Sequence, residues 1–141
     1  MSCSKNIKIS YIEHYNMIIG IGIDIIETLR IQKMIDEYGD VVLTKFFTDV
    51  EIDYCNSFGK RKYEHFAARF AIKEAFSKAT GNGLTNSFVF RDVGIINQKS
   101  GKPQLVLEGK MKEQWSNSLI HISIAHTKEN AIGYVIIESN D

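Results

Sequence analysis

The chain has 141 residues, 44% of them hydrophobic and 24% charged, a length and balance that suit one globular domain with a real core. Seventeen basic residues match seventeen acidic ones, which argues against an extended nucleic-acid surface. No apolar run approaches the roughly 20 residues of a membrane-spanning helix, and Cys3 and Cys55 form neither a metal-ligand spacing nor a disulfide framework.

Residues 1–16 lack the continuous apolar stretch of a secretory leader and read as an N-terminal extension. That leaves 17–141 as one domain, expected in a reduced, cytoplasmic compartment. Residues 17–26 (MIIGIGIDII) are β-branched and apolar enough for a buried strand. Residues 27–38 repeat Leu29, Ile31, Met34 and Ile35 at helical spacing, and Gly39 can end that helix. Thr48 with Glu51 three residues on is a capping-box signature, opening a short helix to about Asn56. A long helix follows from about Lys60 to Thr80. Residues 88–97 read as a strand, 99–103 as the turn of a hairpin and 104–107 as its return strand. A short helix over 109–117 and strands over 119–125 and 131–138 complete an α+β order rather than a doubly wound parallel sheet.

Two acids break apolar surfaces in this pattern. On the long helix Phe66, Tyr63, Phe70, Ala67 and Ala71 span an arc of about 140°, with Glu74 near its middle and Lys78 one turn on. A carboxylate on a buried face is costly unless paired or metal-bound, so Glu74 is either an ion pair with Lys78 or part of a site. On the first strand Gly20, Gly22 and Asp24 share one face, and Ile19, Ile21, Ile23 and Ile25 share the other. The glycines leave room for the long helix, which would bring Asp24 towards Glu74. Two carboxylates from different elements make a poor zinc site and a reasonable Mg²⁺ site, completed by water and phosphate oxygens.

Positive charge lies on the same helix: Lys60, Arg61, Lys62, Arg69, Lys73 and Lys78 point several ways, so not all can serve one site in one subunit. His126 ends an alternation of Ile120, Ile122 and Ile124, where site residues often collect, while His65 sits on the helix flank. Gly81-Asn82-Gly83 could offer backbone N–H groups to an anion, although a plain helix-ending turn explains it better. No GxGxxG, Walker A or GxSxG pattern is present.

From 17 to 138 the chain resembles the holo-acyl-carrier-protein synthases, the small 4′-phosphopantetheinyl transferases. The resemblance rests on IIGIGIDIIE (18–27), FTDVE (47–51), RFAIKEAFSKATGNG (69–83), GKP (101–103) and SIAH (123–126). It implies an antiparallel sheet packed on a long central helix, with active sites at the interfaces of a homotrimer. The implied reaction moves 4′-phosphopantetheine from coenzyme A to a serine of an apo-acyl carrier protein and releases adenosine 3′,5′-bisphosphate. By the same resemblance Asp24 and Glu74 hold Mg²⁺ and Lys78 assists at the transferred phosphate. Lys60, Arg61, Lys62, Arg69, His126 and Thr127 contact coenzyme A, with Gly81 and Gly83 in the adjoining turn. The base that takes the serine proton stays open between Glu74 and a hydroxide on the metal.

Two departures stand out. Asn82 replaces the threonine that the family places between its glycines. The family's first helix is basic and docks an acidic carrier, whereas this chain keeps Arg30 and Lys33 but adds Asp36, Glu37 and Asp40. Two rival functions use the same residues: a Mg²⁺-dependent phosphohydrolase of coenzyme A or nucleotides, and a non-catalytic coenzyme A-binding subunit.

Overall fold

A computed structural model describes residues 16–85 and 87–140. The expected extension, with Cys3 and His14, lies outside the described residues apart from its last position. The elements in chain order are β1 (Ile18–Glu27), α1 (Thr28–Tyr38), α2 (Asp40–Phe46), α3 (Asp49–Asn56), α4 (Lys62–Ala79), β2 (Val93–Asn97), β3 (Pro103–Leu107), α5 (Gly109–Trp115), β4 (Ser118–His126) and β5 (Asn130–Ser139). The α+β expectation holds. β1, β5 and β4 form one antiparallel sheet with β5 in the middle, and β2 pairs with β3 in a separate hairpin.

Three local differences have physical causes. Residues 40–46, to which the sequence pattern assigns no element, form α2, with Val42 buried and Leu43 and Phe46 packed against the core. The strand expected over 88–97 is only Val93–Asn97, because Phe90–Asp92 curl into a 3₁₀ turn first. The long helix likewise opens on a 3₁₀ turn, Gly59–Arg61. The capping box is as read: Thr48 Oγ1 accepts from the Glu51 N–H at 3.2 Å, and Glu51 Oε1 accepts from the Thr48 N–H at 2.9 Å.

α4 is the centre of the molecule. It lies across β1 and β5 on one side and against α1 and α3 on the other. Consequently it is buried almost all round, as a helix between two layers must be. This corrects the single-face reading of its pattern. Glu74 is half-buried at an open margin, and the charge in the core is its neighbour Lys73, which is 0% exposed. Lys73 Nζ donates to Glu51 Oε1 at 2.6 Å, to the Phe46 carbonyl at 2.7 Å and to the Phe90 carbonyl at 3.2 Å. Glu51 Oε2 accepts from the Ile95 N–H at 3.2 Å. The pair therefore ties α2, α3, α4 and β2 together with every ammonium proton used. Burial lowers the Lys73 pKa, and the Glu51 charge opposes that shift.

The sheet side of α4 is an approach of backbone to backbone. A Cβ on Gly22 would lie 1.8 Å from the Ala75 carbonyl oxygen, and one on Gly20 would lie 2.1 Å from that of Ala79. On β5, a Cβ on Gly133 would lie 2.6 Å from the backbone of Ala71 and Ile72. Gly133 is also the register partner of Asp24. Three glycines on the sheet thus face Ala71, Ala75 and Ala79, one turn apart on the helix. We expect Gly22→Ala to lower stability by about 3 kcal/mol, the upper end for overpacking, because the obstacle is helix backbone and not a mobile side chain. Urea unfolding checks this: the midpoint falls while the slope stays constant.

Candidate functional site

The close approach of α4 to β1 sets Asp24 beside Glu74. Asp24 is 10% exposed at its side chain, and its Oδ1 accepts from Lys78 Nζ at 2.9 Å. The same ammonium donates to the Ile23 carbonyl at 3.1 Å. Lys78 is therefore paired with the strand acid, and not with Glu74 as the sequence alone allowed. The other oxygen, Asp24 Oδ2, is buried and has no partner. Burial pushes the Glu74 carboxyl up to about 7; a proton shared with Asp24 and the Asp24 charge add to this, while Arg30 and Lys78 oppose it. With both acids ionised neither can donate to the other, and a proton on Glu74 gives Asp24 a donor.

An acid pair with an orphaned buried oxygen is a fit for a divalent cation: the ion would take the place of the shared proton. Among the described residues no group of three or more His, Cys, Asp or Glu side chains could hold a metal ion. The pair instead resembles the sparse carboxylate set that Mg²⁺ uses when substrate oxygens complete its shell.

The cationic residues lie on the other flank of α4. Arg69, 3% exposed, stacks its guanidinium 4.1 Å from the centre of the Tyr54 ring and donates from Nη2 to Asn97 Oδ1 at 2.6 Å. Its Nε is buried without a partner. Arg69 forms the floor of a cleft of about 410 Å³ whose walls include His65, Asn97, Lys102, Ser123 and His126. His126 Nδ1 lies 3.6 Å from Glu64 Oε2, which also accepts from Arg61 Nη2 at 3.3 Å. Lys60 is exposed on the turn before α4, whereas Lys62 lies over the Tyr63 ring at 5.1 Å.

The remaining expected residues serve turns. Gly81 and Gly83 close α4 with φ of 81° and 59°, and the Gly83 N–H donates to the Ser77 carbonyl at 3.0 Å. Thr127 Oγ1 accepts from the N–H groups of Glu129 and Asn130 at 3.2 and 3.1 Å, which shapes the β4–β5 turn. Neither turn lines the cleft. Lys102 and Ser123, by contrast, lie in the GKP and SIAH motifs but were not singled out as site residues. Asn97, Tyr54 and His65 carried no motif, and only their meeting around Arg69 marks them.

The expected residues thus fall into two separate groups. Glu74 lies 140° around α4 from Arg69 and 180° from His65, at 100° per residue. Asp24 stands opposite Gly133 on β5, which in turn stands opposite Ile124 on β4, so the flanks are about 10 Å apart across the sheet.

This α+β fold thus sets an acid pair and a cationic cleft on opposite flanks of one helix, and its class follows from its similarity to known proteins. Residues 20–135 match the model of the 4′-phosphopantetheinyl transferase superfamily, and the chain belongs to that family. It is 44% identical over 125 residues to the holo-[acyl-carrier-protein] synthase of Clostridium tetani, covering 86% of this chain and 97% of that one. The crystal structure of the Bacillus anthracis synthase, in complex with CoA (3′,5′-ADP), superposes with a TM-score of 0.74 at 40% identity, covering 87% of this chain and 98% of that one. That of the Neisseria meningitidis synthase gives 0.78 at 30% identity, covering 87% and 100%.

The raised Glu74 pKa has a signed consequence. Its proton adds stability below the ordinary carboxylate range, and that contribution is lost as pH rises through about 7. We expect the Tm difference between Glu74→Gln and the parent, without divalent cation, to move in favour of the variant from pH 5 to pH 8. A pH series of thermal melts measures it. A difference that stays constant across the series refutes the acid coupling.

Proposed function

We propose that the protein transfers 4′-phosphopantetheine from coenzyme A to a serine of an apo-acyl carrier protein, as a homotrimeric, cytoplasmic holo-acyl-carrier-protein synthase. The observation that carries this reading is the division of an acid pair and a cationic cleft between the two flanks of one helix. A pyrophosphate bridged to a nucleotide phosphate needs both, and one chain keeps them apart. Two copies that set the Asp24–Glu74 flank of one against the Arg69–His126 flank of the other would complete the site.

A surface for such an assembly is present. Ile19, Ile21, Ile23 and Ile25 on the outer face of β1 are 50%, 57%, 58% and 65% exposed, with Ile132 and Tyr134 of β5 beside Ile25 and Ile23. A sheet apolar on both faces calls for cover on both.

In the proposed reaction Arg69, Lys102 and His126 hold the nucleotide phosphates. Lys78, fixed by Asp24 and the Ile23 carbonyl, presents its charge beside the acids. There it would stabilise negative charge as the bond from phosphorus to the leaving phosphate oxygen breaks. A bound Mg²⁺, held by Asp24 and Glu74, would supply charge neutralisation at the pyrophosphate. The carrier serine oxygen forms the new bond to phosphorus and its proton departs. Glu74 in its carboxylate form is placed to accept it. The carrier docks along α1, where Arg30 is exposed and close enough for its charge to act on Glu74. Lys33 continues the cationic end of that helix, and Glu37, with Asp40 at the start of α2, makes the far end acidic; Asp36 accepts from the Tyr63 hydroxyl.

Incubation with coenzyme A, Mg²⁺ and an apo-carrier protein should add one phosphopantetheinyl group to the carrier by intact mass. Glu74→Gln should reduce that transfer at least about 100-fold while the variant stays folded. Release of free phosphopantetheine without carrier labelling would establish the phosphohydrolase instead, and binding without turnover the scaffold subunit.

Assembly has its own test. Ile21→Glu buries a charge in the proposed interface, so light scattering should report loss of the trimer. Transfer should fall by roughly 100-fold because the two half-sites no longer meet. A monomeric variant with full activity would refute the shared site.

A further inference from the structure

The cleft contains one side chain that the proposed reaction leaves unused. His65 stacks face to face on Phe58, with ring centres 3.6 Å apart and planes at 19°. It meets Tyr54 edge-on at 5.9 Å and His126 edge-on at 5.3 Å. This places a second imidazole beside the first in the cleft wall, on a ring shelf that fixes its orientation. Its Nε2 is buried and has no hydrogen-bond partner. A packing role alone leaves that polar atom unexplained, since an apolar ring would fill the same shelf at lower cost.

The charges around His65 explain its empty valence. From its own helix Arg69 faces it, with Arg61 from the turn before α4, and the acid Glu64 opposes them. From β4 comes His126, from α3 the Tyr54 ring, and from the hairpin turn across the cleft Lys102. Burial comes first, then His126, Arg69 and Arg61, in holding the imidazole down to about 4, against the charge of Glu64. In the free protein His65 is therefore neutral throughout the physiological range. A polyanion in the cleft reverses the field that keeps it so: it neutralises Arg69 and Lys102 and offers an acceptor to an imidazolium N–H.

Resting on the proposed coenzyme A site, we propose that His65 is a second phosphate-binding histidine of the cleft, taking up a proton together with the nucleotide's phosphates. Nucleotide binding would then be coupled to protonation at a residue remote from the acid pair. An opposite charge within about 4–6 Å raises a titratable group by roughly 1–3 units. A rise of about two units at His65 would strengthen binding by about tenfold from pH 8 to pH 5, relative to a chain lacking the imidazole.

The test is isothermal titration of the full chain with adenosine 3′,5′-bisphosphate, from pH 5 to pH 8, in buffers of different ionisation enthalpy. His65→Phe keeps the ring stack on Phe58 and removes the titratable nitrogens. The ligand's own phosphate protonation affects both proteins alike and cancels in their ratio. The parent should bind about tenfold more favourably at pH 5 than at pH 8 relative to the variant, with more protons taken up per nucleotide near pH 5.5. Nitrogen-15 NMR of the His65 ring should show imidazolium in the complex and neutral imidazole without it. Parallel pH profiles, or a His65 ring still neutral in the complex, overturn the role of His65 and leave the cleft's function standing. Absence of nucleotide binding by both proteins at every pH overturns the reading of the cleft and this assignment with it.

Discussion

The distance between α4 and the sheet governs everything else in this molecule. Gly20, Gly22 and Gly133 remove the Cβ atoms that would hold a helix at the usual spacing, and Ala71, Ala75 and Ala79 add little bulk from the other side. The helix therefore rests on the strands almost backbone to backbone. Longer side chains cannot fit between the two layers and are displaced to the flanks. Asp24, next on the glycine face of β1, emerges at one flank beside Glu74 and Lys78. Ile122 and Ile124 of β4 line the other flank, followed by His126. The glycine face thus seals the core and fixes the lateral separation of the acids from the cations.

Two pairs of charges, one fully buried and one at the margin of the core, differ in how completely they are satisfied. Glu51 and Lys73 are both 0% exposed, and the protons of the lysine and both oxygens of the glutamate are engaged. Removing either partner would leave a buried charge alone, a loss of about 3–5 kcal/mol, so the pair is a fastening with nothing left to offer a ligand. Asp24 and Glu74 are the opposite. Two like charges adjoin, one oxygen is orphaned, and the strain is carried as a raised pKa. Arg69 follows the same logic with opposite sign: one edge of its guanidinium is held by Asn97, and its Nε is left without an acceptor. Incomplete satisfaction on both flanks of α4 is what the proposed function uses, with a cation at one flank and substrate oxygens at the other.

Much of this was legible in the residues. The alternation of glycine and isoleucine before Asp24 encodes both a close approach and a strand, and the Thr48–Glu51 spacing encodes a cap. Periodicity failed where it assumes one buried face. A wheel drawn around Phe66 and Phe70 centres on Glu74, but α4 is covered from two sides, and the fully buried charge is Lys73. Nothing local distinguishes that lysine, because its partner Glu51 is 22 residues away and also serves as a helix cap. The cleft residues Tyr54, His65 and Asn97 come from different elements and meet only through the tertiary fold. Motif spacing could point to the GKP and SIAH segments without showing that Lys102 and Ser123 face the same arginine.

Keeping the two half-sites on separate flanks also solves an electrostatic problem. Opposite charges at about 4 Å attract by about 4 kcal/mol at an effective dielectric near 20, and by only about 1.7 kcal/mol at roughly 10 Å. Had the basic cleft faced the acid pair within one chain, the cations would have formed ion pairs with Asp24 and Glu74. The cleft already shows that outcome on a small scale, where Glu64 engages both Arg61 and His126. Separation by α4 leaves the acids underpaired and Arg69 partly free, each in a state that favours a ligand of opposite charge. Joining the flanks across two copies would bring both sets to one pyrophosphate, with the substrate's own charge between them. On that view the exposed isoleucine face of β1 and the glycine face behind it have complementary tasks, one to assemble the copies and the other to keep each copy's charges from cancelling.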